Sequence, residues 1–71
     1  MKGTFVKNYF VGNDEYQIRL DSPRYYIYKL GVDYAPGEYT ESELVHISYS
    51  LKNADAFLED KYLAYQESII G

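Results

Sequence analysis

Chemistry in this chain would have to start from His46 or from pairs of carboxylates, because the sequence has one histidine and no cysteine. An imidazole near pKa 6.5 is available as a general base, but a base must also be held against a nucleophile. Val45, Ile47 and Tyr49 alternate with His46, Ser48 and Ser50, which sets His46 opposite the apolar residues, exposed or on the second face of a sheet. A histidine there is read as structural or incidental. Glu41 with Glu43, or Glu59 with Asp60, are the carboxylate pairs that glycoside hydrolysis or Mg²⁺ binding would use. A solvated loop and a solvated helix face account for both pairs more simply. Glycine-rich phosphate loops, GxSxG, HExxH and EF-hand spacing do not occur. No metal and no cofactor is implied. A chain of 71 residues also has little room for a pocket of ~300 Å³ beside its core. Binding of another macromolecule, not catalysis, is the expectation.

The residues that suit binding are tyrosines and acids. There are ten tyrosines against three phenylalanines and no tryptophan. Tyrosine gives large contact area at low entropic cost, so it is enriched in interface hot spots. Tyr16, Tyr49, Tyr62 and Tyr65 fall on core-facing positions of the pattern. Tyr34 and Tyr39 do not, and they sit in DYAPGEYTESE, which carries Asp33, Glu38, Glu41 and Glu43 and no base. The first candidate site is therefore Asp33, Tyr34, Glu38, Tyr39, Glu41 and Glu43, complementary to a basic protein surface. Carboxylates there can stand where nucleic-acid phosphates would sit. In composition alone the chain is like the small, acidic, cysteine-free inhibitors that phages and mobile elements direct at host proteins. A second candidate, ranked lower, is a single-strand nucleic-acid platform, with Tyr26 and Tyr28 stacking bases while Arg24 and Lys29 meet phosphates. A third is a structural homo-oligomer, such as a homodimer, that assembles through an open sheet face.

Charge supports that ranking. Residues 1–30 hold five bases against three acids, a balance of +2, and residues 31–71 hold two bases against eight acids, a balance of −6. The resulting −4 disfavours direct nucleic-acid binding and favours basic partners.

The positioning elements follow from periodicity. Gly3 to Val11 is rich in β-branched and aromatic residues, with alternation imperfect enough to imply cover on both sides or a bulge. Gly12-Asn13-Asp14 is a turn, and Glu15 to Leu20 alternates cleanly. Residues 24–30 read as a strand on the strength of Tyr25-Tyr26-Ile27-Tyr28, although Ser22-Pro23 also resembles a helix start. Residues 31–42 form a loop. Residues 43–51 read as a fourth strand, with Thr40 to Glu43 as a competing capping box. From Ser50 as N-cap, residues 51–69 form an amphipathic helix with Leu51, Ala54, Leu58, Tyr62, Tyr65 and Ile69 on its core side and Phe57 beside them. Gly71 ends it.

The expected fold is one small α+β domain over residues 1–71. It has a mostly antiparallel four-stranded sheet with one C-terminal amphipathic helix on one face, in the order β-β-β-β-α. Nothing resembles a signal peptide or a membrane span, so the expectation is a cytoplasmic protein that is complete from its methionine.

Overall fold

The computed structural model describes residues 1–31 and 42–70. Within them lie β1 (Thr4–Val11), β2 (Asp14–Asp21), β3 (Arg24–Leu30), β4 (Ser42–Ser48) and α1 (Leu51–Ile70). The strands form a single sheet in the order β1-β2-β3-β4, antiparallel throughout. The expected α+β architecture is the one that forms. Among the described residues no helix is long and apolar enough to cross a membrane.

Short connections dictate this meander. Gly12-Asn13 joins β1 to β2, and Gly12 has φ 60°, the left-handed value that a two-residue hairpin asks of a leading glycine. Ser22-Pro23 joins β2 to β3. The helix start suggested there by sequence does not form. Tyr25 to Tyr28 instead pair on both sides, with β2 and with β4, as suits aromatic residues in a central strand. The capping box at Glu43 likewise yields to β4. Helix initiation happens at Ser50, as the sequence implied. Its Oγ accepts a hydrogen bond from the Asn53 amide at 3.1 Å, and its carbonyl accepts one from the Ala54 amide at 3.1 Å.

Two bulges shape the sheet. In β1 the pairing jumps from Phe5 to Lys7 and leaves Val6 as the extra residue. In β4 it jumps from His46 to Leu44, against Ile27 and Tyr28, and leaves Val45 extra. Both valines pack against the core under the helix. The bulge in the first strand accounts for the imperfect alternation noted there.

The bulge in β4 overturns the facing inferred from its sequence. Uninterrupted alternation put Val45, Ile47 and Tyr49 on the core side and His46 opposite. One extra residue breaks that parity. His46 lies across from Ile27, on the helix side, and its ring stacks on Phe57 with centroids 4.1 Å apart and planes 3° from parallel. Ile47 and Tyr49 are exposed.

The core contains Val11, Tyr16, Ile18 and Ile27 from the sheet and Ala54 and Leu58 from the helix. Ile18, Ile27 and Leu58 are fully buried, and each contributes roughly 1.5–3 kcal/mol by leaving water. The helical stripe is only partly used. Leu51, Tyr62, Tyr65 and Ile69, expected on the core side, are exposed. At 100° per residue, Ala54, Phe57, Leu58 and Lys61 define the side that meets the sheet, and Leu51, Tyr62 and Ile69 lie about 60–80° around from Ala54. Two contacts tie the helix across the sheet at its flanks. Lys7 of β1 meets Asp55 at 2.6 Å. Lys61 lies 5.9 Å from the Tyr16 ring and 5.1 Å from the Phe57 ring. Burial, and then Asp14, push the Tyr16 phenol above its ordinary pKa.

Candidate binding surface

Among the described residues one helix covers one side of the sheet, and no helix or strand covers the second face. Its residues follow from strand register. Toward the β2–β3 turn, Phe5, Arg19, Tyr26 and Ile47 form a lower row. Asn8, Gln17, Tyr28 and Leu44 form the middle row, and Phe10, Glu15, Leu30 and Ser42 the upper row. Phe5, Phe10, Leu44 and Ile47 are exposed, Phe10 to 62%. All four stand on the edge strands β1 and β4, with Arg19, Gln17 and Glu15 of β2 and Tyr26 and Tyr28 of β3 between them.

Tyr26 and Tyr28 form the floor of this face and are 5% and 8% exposed. Their cover is the chain's own beginning. Arg19 donates from Nε to the Lys2 carbonyl at 3.0 Å and from Nη2 to the Gly3 carbonyl at 2.7 Å. The Lys2 amide donates to the Tyr28 hydroxyl at 3.1 Å, and the Lys2 ammonium sits 5.7 Å from the centre of the Tyr26 ring. Residues 1–3 thus form a strap over the lower row. Gly3 turns it with φ 78°, and a Cβ there would run into the Leu20 carbonyl.

The strap bears on the second candidate site. A stacking platform needs an exposed ring face, and Tyr26 and Tyr28 offer almost none. Arg24 is exposed, but its guanidinium lies 6.0 Å from the Tyr49 ring. Tyr26 and then Tyr49 hold it even further above its ordinary pKa. Lys29 is not with these groups. It is in register with Tyr16 on the helix side and lies 3.8 Å from Asp14. The four residues are therefore split between two faces.

Of the first candidate site, Asp33, Tyr34, Glu38, Tyr39 and Glu41 lie outside the described residues. Glu43 is described. It is exposed and pairs with Lys29 in register, on the helix side of the sheet. That side is acidic. Asp14, Glu43, Asp55, Glu59, Asp60 and Glu67 lie there against Lys7, Lys29, Lys52 and Lys61, a balance of −2. Lys7 and Lys29 are engaged by Asp55 and Asp14, and Lys61 by aromatic rings. Glu43, Glu59, Asp60 and Glu67 are exposed and form no ion pair among the described residues. The open face carries Lys2, Arg19 and Arg24 against Glu15 and Asp21, a balance of +1. Sequence reasoning marked an acidic segment at 33–43 and missed this separation by face, which needs the register to be seen.

An open depression of about 530 Å³ runs along the helix beside Leu51, Lys52, Asp55, Ala56 and Glu59. Its innermost carboxylate, Asp55, already holds Lys7. Among the described residues no group of three or more His, Asp or Glu is placed to hold a metal ion. No protein-family model, curated protein or solved structure matches the chain.

Proposed function

We propose that this chain works by binding a protein with a basic surface, through the acidic side of the molecule. The surface comprises the outer face of α1 and Glu43 at the edge of β4; the acidic sequence segment with Asp33, Tyr34, Glu38, Tyr39 and Glu41, which immediately precedes Glu43 in the chain, is proposed to act with it. The observation that carries this reading is the separation of charge between the two sides of the sheet. Among the described residues, carboxylates outside any ion pair gather on the helix side, while the open side is slightly positive. A surface of one sign raises the encounter rate with a partner of the other sign and sets its orientation. Partners of this chemistry include proteins whose basic surface otherwise holds nucleic acid, and occupying that surface would inhibit them. The chain's role is then recognition, with no catalytic step of its own, in a cytoplasmic setting.

Capture from lysate tests this, using the wild type, a loop variant (E38K, E41K and E43K) and a helix variant (E59K, D60K and E67K). The expected result is a basic protein that the wild type retains at about 50 mM salt and releases near 300 mM, as screening of exposed charge requires. Both variants should lose it. If the same proteins remain bound to both variants at both salt concentrations, the acidic surface is not the binding surface.

A further inference from the structure

We infer that the open face of the sheet is a self-complementary surface, and that its occupant is a second copy of this chain. The inference is independent of the acidic-side reading, because it concerns the opposite side of the molecule. Three features of the face point to a copy of itself.

The first is charge along β2. Arg19 stands in the lower row and Glu15 in the upper row, four residues or about 13 Å apart. Among the described residues Arg19 hydrogen-bonds neutral acceptors, the Lys2 and Gly3 carbonyls and Gln17 Oε1 at 2.8 Å. Neither Arg19 nor Glu15 has an ion-pair partner among the described residues. Consider a two-fold axis between facing sheets, crosswise to the strands and through the middle row. It lays the lower row of one copy on the upper row of the other. Arg19 then meets Glu15 of the second copy twice over, and Phe5 meets Phe10.

The second feature is shape. The strap of residues 1–3 raises the lower row where Arg19 holds it. The crosswise axis keeps the two straps apart. An axis along the strands would set strap on strap and Glu15 over Leu30. Charge and shape thus select the same axis.

The third feature is size. Four strands at about 4.8 Å and three rows at about 6.8 Å give a face of roughly 400 Å². A standard interface takes ~800 Å² from each partner. The face suits a weak, reversible dimer and is small for an obligate one.

Sedimentation equilibrium across a concentration series reads the outcome. The weight-average mass should rise from 8.3 kDa toward twice that value as concentration goes from about 10 μM to 1 mM, with a dissociation constant on the order of 100 μM for a face this small. F10D and L44D change exposed side chains, so each should stay folded by circular dichroism and stay monomeric at 1 mM. E15R puts two bases opposite each other and should weaken association at least tenfold. A wild type that is monomeric at 1 mM overturns the inference. So does a dimer that keeps its affinity in F10D, L44D and E15R, because it would then use another surface. Lysate capture with E59K, D60K and E67K stays unaffected by either result, so the two readings fail separately.

Discussion

The two faces of one sheet have nearly the same composition and opposite fates. The helix-covered face holds Ile18 and Ile27 fully buried against Leu58. The other face presents Phe5, Phe10, Leu44 and Ile47 to solvent from the edge strands β1 and β4, whereas Ile18 and Ile27 lie on the central strands β2 and β3. Sequence hydrophobicity does not separate them. What separates them is that the described residues hold one helix, and one helix covers one face. The open face is partly closed by cheaper means, a three-residue strap and an arginine, which bury two tyrosines without building a second core. A face finished with backbone carbonyls and a guanidinium remains usable as a surface, whereas one finished with leucine does not.

The comparison can be broken by substitution. Leu58→Ala opens a cavity where neighbours are tightly packed and should cost about 3 kcal/mol. For a domain of this size that lowers Tm by at least ~12 °C. Leu44→Ala on the open face should cost less than about 1 kcal/mol in a dilute monomer. Equal losses in urea unfolding would mean that the two faces are equivalent after all.

Gly12 comes next. Its positive φ is costly for any side chain, and a Cβ would stand 2.6 Å from the Tyr65 ring. Gly12→Ala should destabilise by ~1–3 kcal/mol, and Tyr65→Ala in the same chain should recover the steric part. No recovery would locate the whole effect in the backbone. Ser50→Ala removes the N-cap and should cost ~1 kcal/mol, a loss that thermal unfolding resolves.

Ser48 should move stability the other way. It is 4% exposed and its hydroxyl has no hydrogen-bond partner among the described residues. An unpaired buried hydroxyl is a liability of ~1–3 kcal/mol, so Ser48→Ala should be neutral or stabilising. A clear loss would show that the hydroxyl is paired in solution.

The smallest expected effect is in pH. The Tyr16 phenol is raised above its ordinary value, first by burial and then by Asp14. The folded state therefore holds the proton more tightly than the unfolded chain. Stability from this group is complete below the unfolded pKa, near 10, and is lost as pH rises through the folded value. Unfolding midpoints should be flat from about pH 7 to 9 and fall above about pH 10. Tyr16→Phe should flatten part of that fall.

Much of the fold was legible in the residues. Periodicity marked Tyr16, Ile18 and Leu20 as a strand, turn chemistry marked Gly12-Asn13, and Ser50 marked the helix start. These are local signals, set by φ preferences and by hydrogen bonds a few residues long. Legibility failed where a single extra residue changes parity. Nothing in SELVHIS announces that Val45 is a bulge, so His46 and Ile47 were read on the wrong sides. The candidate site fared in the same way. Its acids were visible as a cluster in sequence, but the contrast between an acidic and a slightly basic side was not. The role of Arg19 as the clamp of the strap was not visible either.

The sequence by itself therefore determined the elements, their order and the antiparallel path of a meander. Each of those choices is decided within about ten residues by turns, caps and alternation. Tertiary structure decided which residues share a face, which tyrosines are buried, and that the C-terminal half of the helical stripe stays exposed. Those outcomes depend on strand register and on where the one helix lies across the sheet, and both are settled by contacts between residues distant in the chain. The clearest case is the burial of Tyr26 and Tyr28. It comes from Lys2, more than twenty residues earlier, held over them by Arg19.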